Sequence, residues 1–449
     1  MRALCIGSAM VDIIVLVNSK DVERMTMTNA TSSFLLLEQG LKIESQSIST
    51  HIGGGAVNTA VSMARLGMKA GVLVKVGEDQ NGERILDRMT LEDVETGAVI
   101  RTAEAPTGTA VMVSSHDRNA TIFTQRGANT LLRVSDIDPV LMADCGLVYI
   151  ASLSNRSAEC FGDIAAAARS AGAFVAANPG IRQLTSRTAS ILDSFADIDL
   201  LAVNRVEAET LVPALAVSDD VTDGGDDHEI NKEEPRLMRL GLAFGGFDLG
   251  LIDFLARVRS KGLDKILITD GTEGAYLADA DGVHFCPTMR TEVMGTAGAG
   301  DSFTSTLSAL LASGSSVEDS LRAAAVNAAA VVSEVDTQSG LLNRVDLDAR
   351  VLEVKFQLPG LVAAKGQPRQ IIPLDQQVHA NLGRQPRRQF DHRRQNGKQN
   401  AGIVRHAAEF CTHKMNISKT WQISVQGTGP KIPRPARRGL SIDPQTRRQ

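Results

Sequence analysis

Aromatic side chains are scarce in this chain, with one Trp and two Tyr among 449 residues. Apolar residues nevertheless make up 43%, so a large core must be built mainly from Ala, Val, Leu and Ile. The five cysteines are scattered and include no C-x-x-C pair. This spacing argues against a disulfide framework or a zinc site. It is typical of a reducing compartment, so we expect a cytoplasmic protein.

Long apolar runs are also missing, since no window has the length and apolarity of a membrane span. We therefore expect no membrane partner. The first residues resemble a signal peptide because Arg2 precedes an apolar run. Asp12 interrupts that run, and no convincing small-residue cleavage site follows. We interpret residues 3–17 as a single buried strand.

Two common nucleotide-binding fingerprints do not occur. The chain has no G-x-x-x-x-G-K-[ST] loop, which argues against a P-loop kinase. The glycine fingerprint of nicotinamide enzymes would follow the first strand closely, and there Gly7 stands alone. A nicotinamide enzyme is therefore the weaker alternative.

The net charge of −5 combines two different compositions. Residues 361–449 carry 17 of the 47 Lys+Arg but only 4 of the 52 Asp+Glu. A basic arm is typical of nucleic-acid binding, yet its large aromatics are only Phe390, Phe410 and Trp421. We do not expect a nucleic-acid partner. We interpret residues 356–449 as a disordered, or even out-of-frame, extension.

Apolar strands and helices alternate through the rest of the chain. This pattern predicts an α/β fold with a mostly parallel sheet and helices on both faces. Ligands bind beyond the carboxyl ends of the strands in such sheets. Residues 15–50 and 98–126 are instead patterned as short strands, which predicts a second, small sheet. Residues 213–247 are acidic and Gly/Asp-rich in part, which predicts a surface insertion.

A glycine-rich stretch at 295–301, Gly-Thr-Ala-Gly-Ala-Gly-Asp, precedes a strongly helical segment. Its glycines leave backbone N–H groups uncovered, and a helix start adds partial positive charge. Such a turn is a site for an anion, most often phosphate. Asp301 ends the stretch, either as a helix N-cap or as a base that takes a proton from a hydroxyl attacking a phosphoryl group.

Further polar clusters follow other predicted strands or precede other helices. Three consecutive glycines, at 53–55, precede a helix that carries Asn58 in its first turn. Two more clusters come at strand ends, and they are Asn204-Arg205-Val206-Glu207 and Asp270-Gly271 with Gly274.

Together these motifs resemble those of the PfkB, or ribokinase-like, carbohydrate kinases. Residues 53–58 with Gly67 resemble the first family signature, and residues 298–301 resemble the second. Residues 204–207 look like the family's N-x-x-E motif, and residues 269–271 with Gly274 are similar to its nucleotide-side strand end. The resemblance covers residues 1–355.

The resemblance implies a three-layer ribokinase-like α/β fold with a small β-sheet lid. It also implies that the protein uses ATP and Mg²⁺ to phosphorylate a hydroxyl of a sugar or nucleoside. By motif match, the resemblance implies that Asp301 is the general base and that the anion hole is formed by Gly298, Ala299 and Gly300. It implies a magnesium site, reached through water, at Asn204 and Glu207. The implied substrate contacts are Asp12, Gly54, Gly55, Asn58 and Arg126, and the implied nucleotide contacts are Asn204, Asp270, Gly271, Gly274 and Asn327.

One departure from the family pattern concerns Gly295. The second signature usually begins Asp-Thr, and that Asp helps to bind a monovalent cation in ribokinase-like members. Glycine removes the carboxylate, so we expect weak or no activation by potassium. A nucleoside kinase and a non-catalytic sugar-binding or regulatory protein on the same fold remain alternatives. The lids of family members either stay open or pair with each other in dimers. A homodimer through the lid is therefore a further alternative.

Truncation tests the interpretation of the basic extension. We expect a chain ending at residue 360 to unfold at the same temperature as the full chain, because the domain is complete before that point. Circular dichroism during heating measures this, with the full chain as control. Collapse of folding or of activity in the truncated chain would contradict the interpretation.

Overall fold

A computed structural model describes residues 1–18, 23–26, 33–36, 40, 42–114, 120–217 and 234–357. The basic extension lies outside these residues except for its first two positions. Residues 218–233, the most acidic part of the predicted insertion, also lie outside them. None of the helices in this described part is long and apolar enough to cross a bilayer.

The described residues form strands and helices with the following bounds. The strands are β1 Arg2–Gly7, β2 Met10–Val17, β3 Glu23–Thr26, β4 Ser33–Leu36, β5 Ser45–Gly53, β6 Lys69–Gly77, β7 Ile100–Thr102, β8 Gly108–Ser114, β9 Ala120–Gln125, β10 Leu147–Ile150, β11 Phe174–Ala177, β12 Leu200–Asn204, β13 Leu242–Phe244, β14 Phe247–Leu249, β15 Lys265–Thr269, β16 Ala275–Ala278 and β17 Val283–Cys286. The helices are α1 Gly55–Arg65, α2 Gln80–Leu91, α3 Phe161–Ser170, α4 Ile181–Ser186, α5 Thr188–Asp193, α6 Arg205–Glu209, α7 Val212–Ala216, α8 Arg236–Leu240, α9 Leu251–Ser260, α10 Ala299–Ala312, α11 Val317–Val332 and α12 Arg344–Gln357.

The large sheet has the strand order β17-β16-β15-β12-β11-β10-β1-β6-β7. All strands from β15 to β7 in that order run parallel, and β16 and β17 are antiparallel at one edge. Alternate residues of β1 belong to two different cores: Ala3 and Cys5 lie in one, Leu4 and Ile6 in the other. Helices α1, α10 and α11 cover the first core, and α3 and α9 cover the second. The predicted three-layer fold is confirmed.

The predicted strand over residues 3–17 is two strands in two different sheets. The chain leaves the large sheet after Gly7, where an added Cβ would lie 2.8 Å from Cβ of Ala151. It then enters the small sheet at Met10. The prediction missed this break because the apolar run is nearly continuous on both sides of it, and periodicity marks no boundary in such a run.

The small sheet has the order β5-β2-β8-β9. Strand β2 pairs antiparallel with β5 and parallel with β8, while β8 and β9 form an antiparallel pair. This sheet agrees with the predicted second sheet, although it begins earlier, at Met10. Strand β7 falls inside the predicted 98–126 stretch but joins the large sheet beside β6.

The predicted insertion at 213–247 is ordered at both of its ends. Helices α7 and α8 and the β13–β14 hairpin lie within it or at its border. Leu215, Leu237 and Leu242 from these elements are buried in the second core. The ends therefore belong to the packed domain.

Asn327 joins α11 to two neighbouring parts of the chain. Its Nδ2 donates to Oγ1 of Thr306 at 2.8 Å, and its Oδ1 accepts from the N–H of Leu342 at 2.9 Å. The side chain has 0% exposure. Asn327 thus supports helix packing, and it has no surface on which the expected nucleotide contact could form.

Replacement of this asparagine tests its structural role. We expect Asn327→Leu to lower the free energy of unfolding by about 1–3 kcal/mol, because the Leu342 N–H would be left unpaired in the core. Urea denaturation measures the change. Gln80→Leu, at an exposed position of α2, is the control and should change stability by less than about 0.5 kcal/mol. Equal losses in the two variants would contradict this role.

Candidate active site

The strand order reverses at β1, which has β6 on one side and β10 on the other. In parallel sheets a crevice forms at such a reversal, beyond the carboxyl ends of the strands. Two glycine-rich turns meet near this point. One turn, at 53–55, leads into α1, and the other, at 298–300, leads into α10.

Helix α10 begins as the glycine-rich stretch predicts. Gly298 caps it with φ of 79°, and an added Cβ there would lie 2.8 Å from Cβ of Thr337. The first backbone donor within the helix is Ser302, whose N–H donates to the C=O of Gly298 at 2.8 Å. The preceding N–H groups, of Ala299, Gly300 and Asp301, therefore have no partner inside the helix. This geometry suits a bound anion.

Asp301 is hydrogen-bonded to Asn58, although the two residues are 243 positions apart. Nδ2 of Asn58 donates to Oδ2 of Asp301 at 2.8 Å. Oδ1 of Asn58 accepts from Thr337 Oγ1 at 3.0 Å and from Gln338 Nε2 at 3.1 Å. The sequence analysis missed Thr337 and Gln338, because they lie in a polar turn without a motif.

Asp12 reaches the same region from β2 of the small sheet. It is 6% exposed, and an added Cβ at Gly53 would overlap its carboxylate. Gly54 has φ of 101°, and an added Cβ there would lie 2.6 Å from the carbonyl oxygen of Ser8. At Gly55 an added Cβ would lie 4.0 Å from Oδ1 of Asp301. The consecutive glycines thus let the backbone approach both carboxylates.

Several acidic groups here have raised pKa values. Burial raises the pKa of Asp301 to about 6, although the Asn58 hydrogen bond opposes the shift. Burial and the nearby Asp301 charge raise the pKa of Asp12 to about 6. Burial raises the pKa of Glu207, and Asp301 adds to that shift. Burial, with a smaller contribution from Asp301, raises the pKa of the Tyr149 phenol, which is hydrogen-bonded to Thr304 Oγ1 at 2.7 Å. Negative charge is therefore disfavoured here until a cation or a proton neutralises it.

Asn204 and Glu207 form a capping box at the start of α6. The N–H of Glu207 donates to Oδ1 of Asn204 at 2.9 Å, and the N–H of Asn204 donates to Oε2 of Glu207 at 2.9 Å. One carboxylate oxygen of Glu207 thus makes the capping contact. Among the described residues, no group of three or more acidic, histidine or cysteine side chains could hold a metal ion.

Asp270 is 5% exposed and pairs with two arginines. Its Oδ1 accepts from Nε of Arg205 at 2.8 Å, and its Oδ2 lies 3.2 Å from Nη1 of Arg236. Its N–H donates to the C=O of Gly274 at 2.8 Å and closes the tight loop through Gly271. Asp270 therefore orients two guanidinium groups, and Arg236 is a further residue that the sequence analysis did not identify.

Two open clefts lie next to these groups. One, of about 320 Å³, is mostly apolar, and the other, of about 530 Å³, is more polar. Residues that line both clefts are Thr269, Gly271 and Thr272. The apolar cleft is also lined by Gly274, Ala299, Gly300, Ala325 and Ala328, and the polar cleft by Asn204, Glu207, Asp270 and Arg236. Pockets of this size suit a small ligand with an apolar ring and polar groups.

Arg126 lies at the edge of the small sheet, directly after β9. Its Nη1 donates to Oγ of Ser154 at 2.8 Å. Burial and the nearby Arg182 lower the pKa of its guanidinium. Its neighbour Asn129 exchanges two hydrogen bonds of 2.9 Å with the backbone of Ala9. Arg126 therefore lies close to the segment that joins the two sheets.

Comparisons with known proteins show the family to which this chain belongs. The family model described as pfkB family carbohydrate kinase matches residues 2–230 and 250–344. Mouse ribokinase is 27% identical over 305 residues, which cover 66% of this chain and 82% of that protein. A Methanocaldococcus jannaschii nucleoside kinase structure has a TM-score of 0.59 and 20% identity, with 78% of this chain and 98% of that chain covered. Arabidopsis thaliana ribokinase complexed with ribose and ATP has a TM-score of 0.58 and 22% identity, with the same coverage.

The match spans both glycine-rich turns, the capping box at α6 and the strand end at Asp270. The chain belongs to the pfkB family, and it is an ATP-binding carbohydrate kinase.

Proposed function

We propose that Asp301 is the general base of this kinase. It takes the proton of a substrate hydroxyl while that oxygen forms a bond to the γ-phosphorus of ATP and the bond from this phosphorus to the ADP oxygen breaks. The observation that carries the proposal is the position of Asp301 in the first turn of α10, where backbone N–H groups have no partner inside the helix. Its Oδ2 accepts a hydrogen bond from Nδ2 of Asn58 at 2.8 Å.

The pKa of about 6 suits this role. A carboxylate with a raised pKa binds a proton more strongly than an ordinary Asp, yet it is mostly ionised at neutral pH. Activity should therefore rise with pH through about 6, because only the deprotonated form accepts the proton. The acidic limb of the pH–rate profile would report this ionisation.

The start of α10 supplies the anion hole in this proposal. The N–H groups of Gly298, Ala299 and Gly300 would stabilise the charge on the transferred phosphoryl group, and they need no side-chain movement to do so. Because Gly300 has open space where a Cβ would be, a phosphoryl group could approach its backbone.

The acidic residues also fit a magnesium ion bound through water. Burial and the nearby Asp301 raise the pKa of Glu207, so a cation beside this carboxylate would be favourable. Mg²⁺ usually keeps several waters and is shared between one or two carboxylates and substrate phosphates, so a dedicated cage is not required. Glu207 and Asn204 would orient those waters, and the ion would neutralise phosphate charge when bound.

The adenine ring and the polyphosphate would occupy the two clefts, which share lining residues. Small side chains on α11, such as Ala325 and Ala328, leave a flat apolar wall for the ring. Gly271 and Gly274 would let the backbone approach the nucleotide closely, and Arg236 would lie on the phosphate side. Asp270 would act through the arginines that it holds.

The substrate would lie between the small sheet and α1. Asp12, Asn58 and the backbone at Gly54 and Gly55 would hold its hydroxyl groups, with Arg126 at the margin. These polar groups suit a sugar, and the sugar part of a nucleoside is a second candidate, since a nucleoside kinase shares the fold. ADP release against a panel of sugars, sugar phosphates and nucleosides distinguishes the two.

Three further predictions concern the setting of the enzyme. The small sheet would act as a lid that excludes water, since water would otherwise hydrolyse ATP. Ile48 and Phe123 on its outer strands are 66% and 58% exposed, which supports a homodimer through the lid.

A reducing, cytoplasmic setting is supported by four cysteines that are free and buried, Cys5, Cys145, Cys160 and Cys286.

Removal of the base tests the proposal directly. We expect Asp301→Asn to lower kcat by at least about 100-fold, because the neutral amide cannot accept the proton, while the substrate still binds. Steady-state ADP release and calorimetric binding measure the two effects. Asp163→Asn, at an exposed position of α3, is the matched control. Near wild-type turnover in Asp301→Asn would show that another group is the base.

The cation dependence tests the departure at Gly295. An added Cβ there would lie 3.0 Å from the carbonyl oxygen of Glu334 and 3.1 Å from that of Val335. We expect less than about a twofold change in turnover when potassium replaces sodium, because this position contributes no carboxylate to bind a monovalent cation. ADP release in matched potassium and sodium salts measures this, and strong stimulation by potassium alone would contradict it.

A further inference from the structure

We propose that Thr337 and Gln338 are positioning residues that hold the Asn58 amide in one orientation and so keep a hydrogen-bond donor on Asp301. We call these two side chains the amide clamp. The inference rests on the proposed role of Asp301 as the base. It adds a function for a turn that lies outside both signature motifs.

The geometry of Asn58 carries this inference. Its amide could rotate by half a turn and exchange its oxygen with its nitrogen. Two donors, Thr337 Oγ1 and Gln338 Nε2, lie 3.0 and 3.1 Å from Oδ1. After such a rotation Gln338 Nε2 would face an NH₂ group, two donors without an acceptor between them, and the Thr337 hydroxyl would lose the oxygen to which it donates. The three side chains are 3%, 7% and 2% exposed, so water could not easily compensate.

Gln338 is itself held in the orientation that this clamp needs. Its Oε1 accepts from Nε of Arg88 at 3.0 Å, so its Nε2 faces Asn58. Its backbone C=O accepts from Nη1 of Arg65 at 2.9 Å. Both arginines pair with Glu92 at 2.7 Å. A chain of contacts thus runs from α2 through the clamp to the proposed base.

The Asn58 hydrogen bond is important for the ionisation of Asp301 because the other groups named around this carboxylate are acidic. Asp12 faces it from β2, Tyr149 from β10 and Glu207 from α6, and each interacts electrostatically with it. Asn58 is the side chain whose hydrogen bond lowers the pKa of Asp301. If the amide turned, its carbonyl oxygen would face the carboxylate, and the pKa of Asp301 would rise.

The test removes both donors of the clamp while preserving side-chain size. In the double variant Thr337→Val/Gln338→Met we expect the Asp301 carboxyl to titrate roughly one pH unit higher than in the wild type. Carbon-13 NMR of aspartate-labelled protein measures the titration, and Asp301→Asn identifies the signal. Thr337→Ser keeps the hydroxyl donor and should titrate like the wild type. Thr337→Val alone provides a milder variant, with a smaller upward shift, if the double variant does not fold.

The same shift should appear in activity. With ATP and D-ribose, or with the sugar that the panel identifies, we expect roughly fivefold lower kcat than wild type at pH 6 and recovery at pH 9 in the double variant, because a carboxyl that titrates one pH unit above about 6 is mostly protonated at pH 6. A merely structural role would instead lower kcat equally at all pH values. An unchanged titration of Asp301, or such a uniform loss, would overturn the proposal. If the wild type phosphorylates no compound, the proposed function fails, whereas the NMR titration still decides the clamp.

Discussion

The site depends on one hydrogen bond, from the Asn58 amide to a carboxylate at the start of α10. Asp301 lies among other acidic groups, and burial by itself would favour its protonated form. A single neutral donor stabilises the ionised form without cancelling its charge. The pKa can therefore stay high enough for a base and low enough for ionisation at neutral pH. An arginine in place of Asn58 would lower that pKa much further, and the carboxylate would become a weak base.

Close approach of backbone segments makes this hydrogen bond possible. The turn before α1, the start of β2 and the turn before α10 meet where the strand order reverses. Gly53, Gly54 and Gly298 lie at the contacts, and at each of them a Cβ would overlap a neighbouring atom. The glycines thus let Asp12 and Thr337 lie close to the proposed base.

The proposed nucleotide side of the site is organised by charge pairing. Asp270 is nearly enclosed, and its carboxylate is balanced by Arg205 and Arg236. This pairing holds the end of β15 against α6 and α8, the elements that border the polar cleft. Removal of both arginines would leave the enclosed carboxylate without an opposite charge, which is costly. Asp270 can thus shape the proposed nucleotide site without contacting the nucleotide.

The sequence by itself determined the features that depend on local chemistry. Periodicity predicted the alternating α/β layers, and the glycine-rich turns predicted the anion site, because turns and helix starts depend on a few adjacent residues. It also indicated Asp301, Asn58 and Glu207 as functional candidates.

Only the tertiary structure decided which distant residues meet. Thr337 lies 279 positions from Asn58, so no local pattern could predict that it orients this amide. Long-range packing also explains three other features that the sequence analysis did not predict. They are the break of the first apolar run into two sheets, the core position of Asn327 and the arginine pairs of Asp270. Burial and partners are properties of the packed chain, and a single sequence carries no direct record of its long-range contacts.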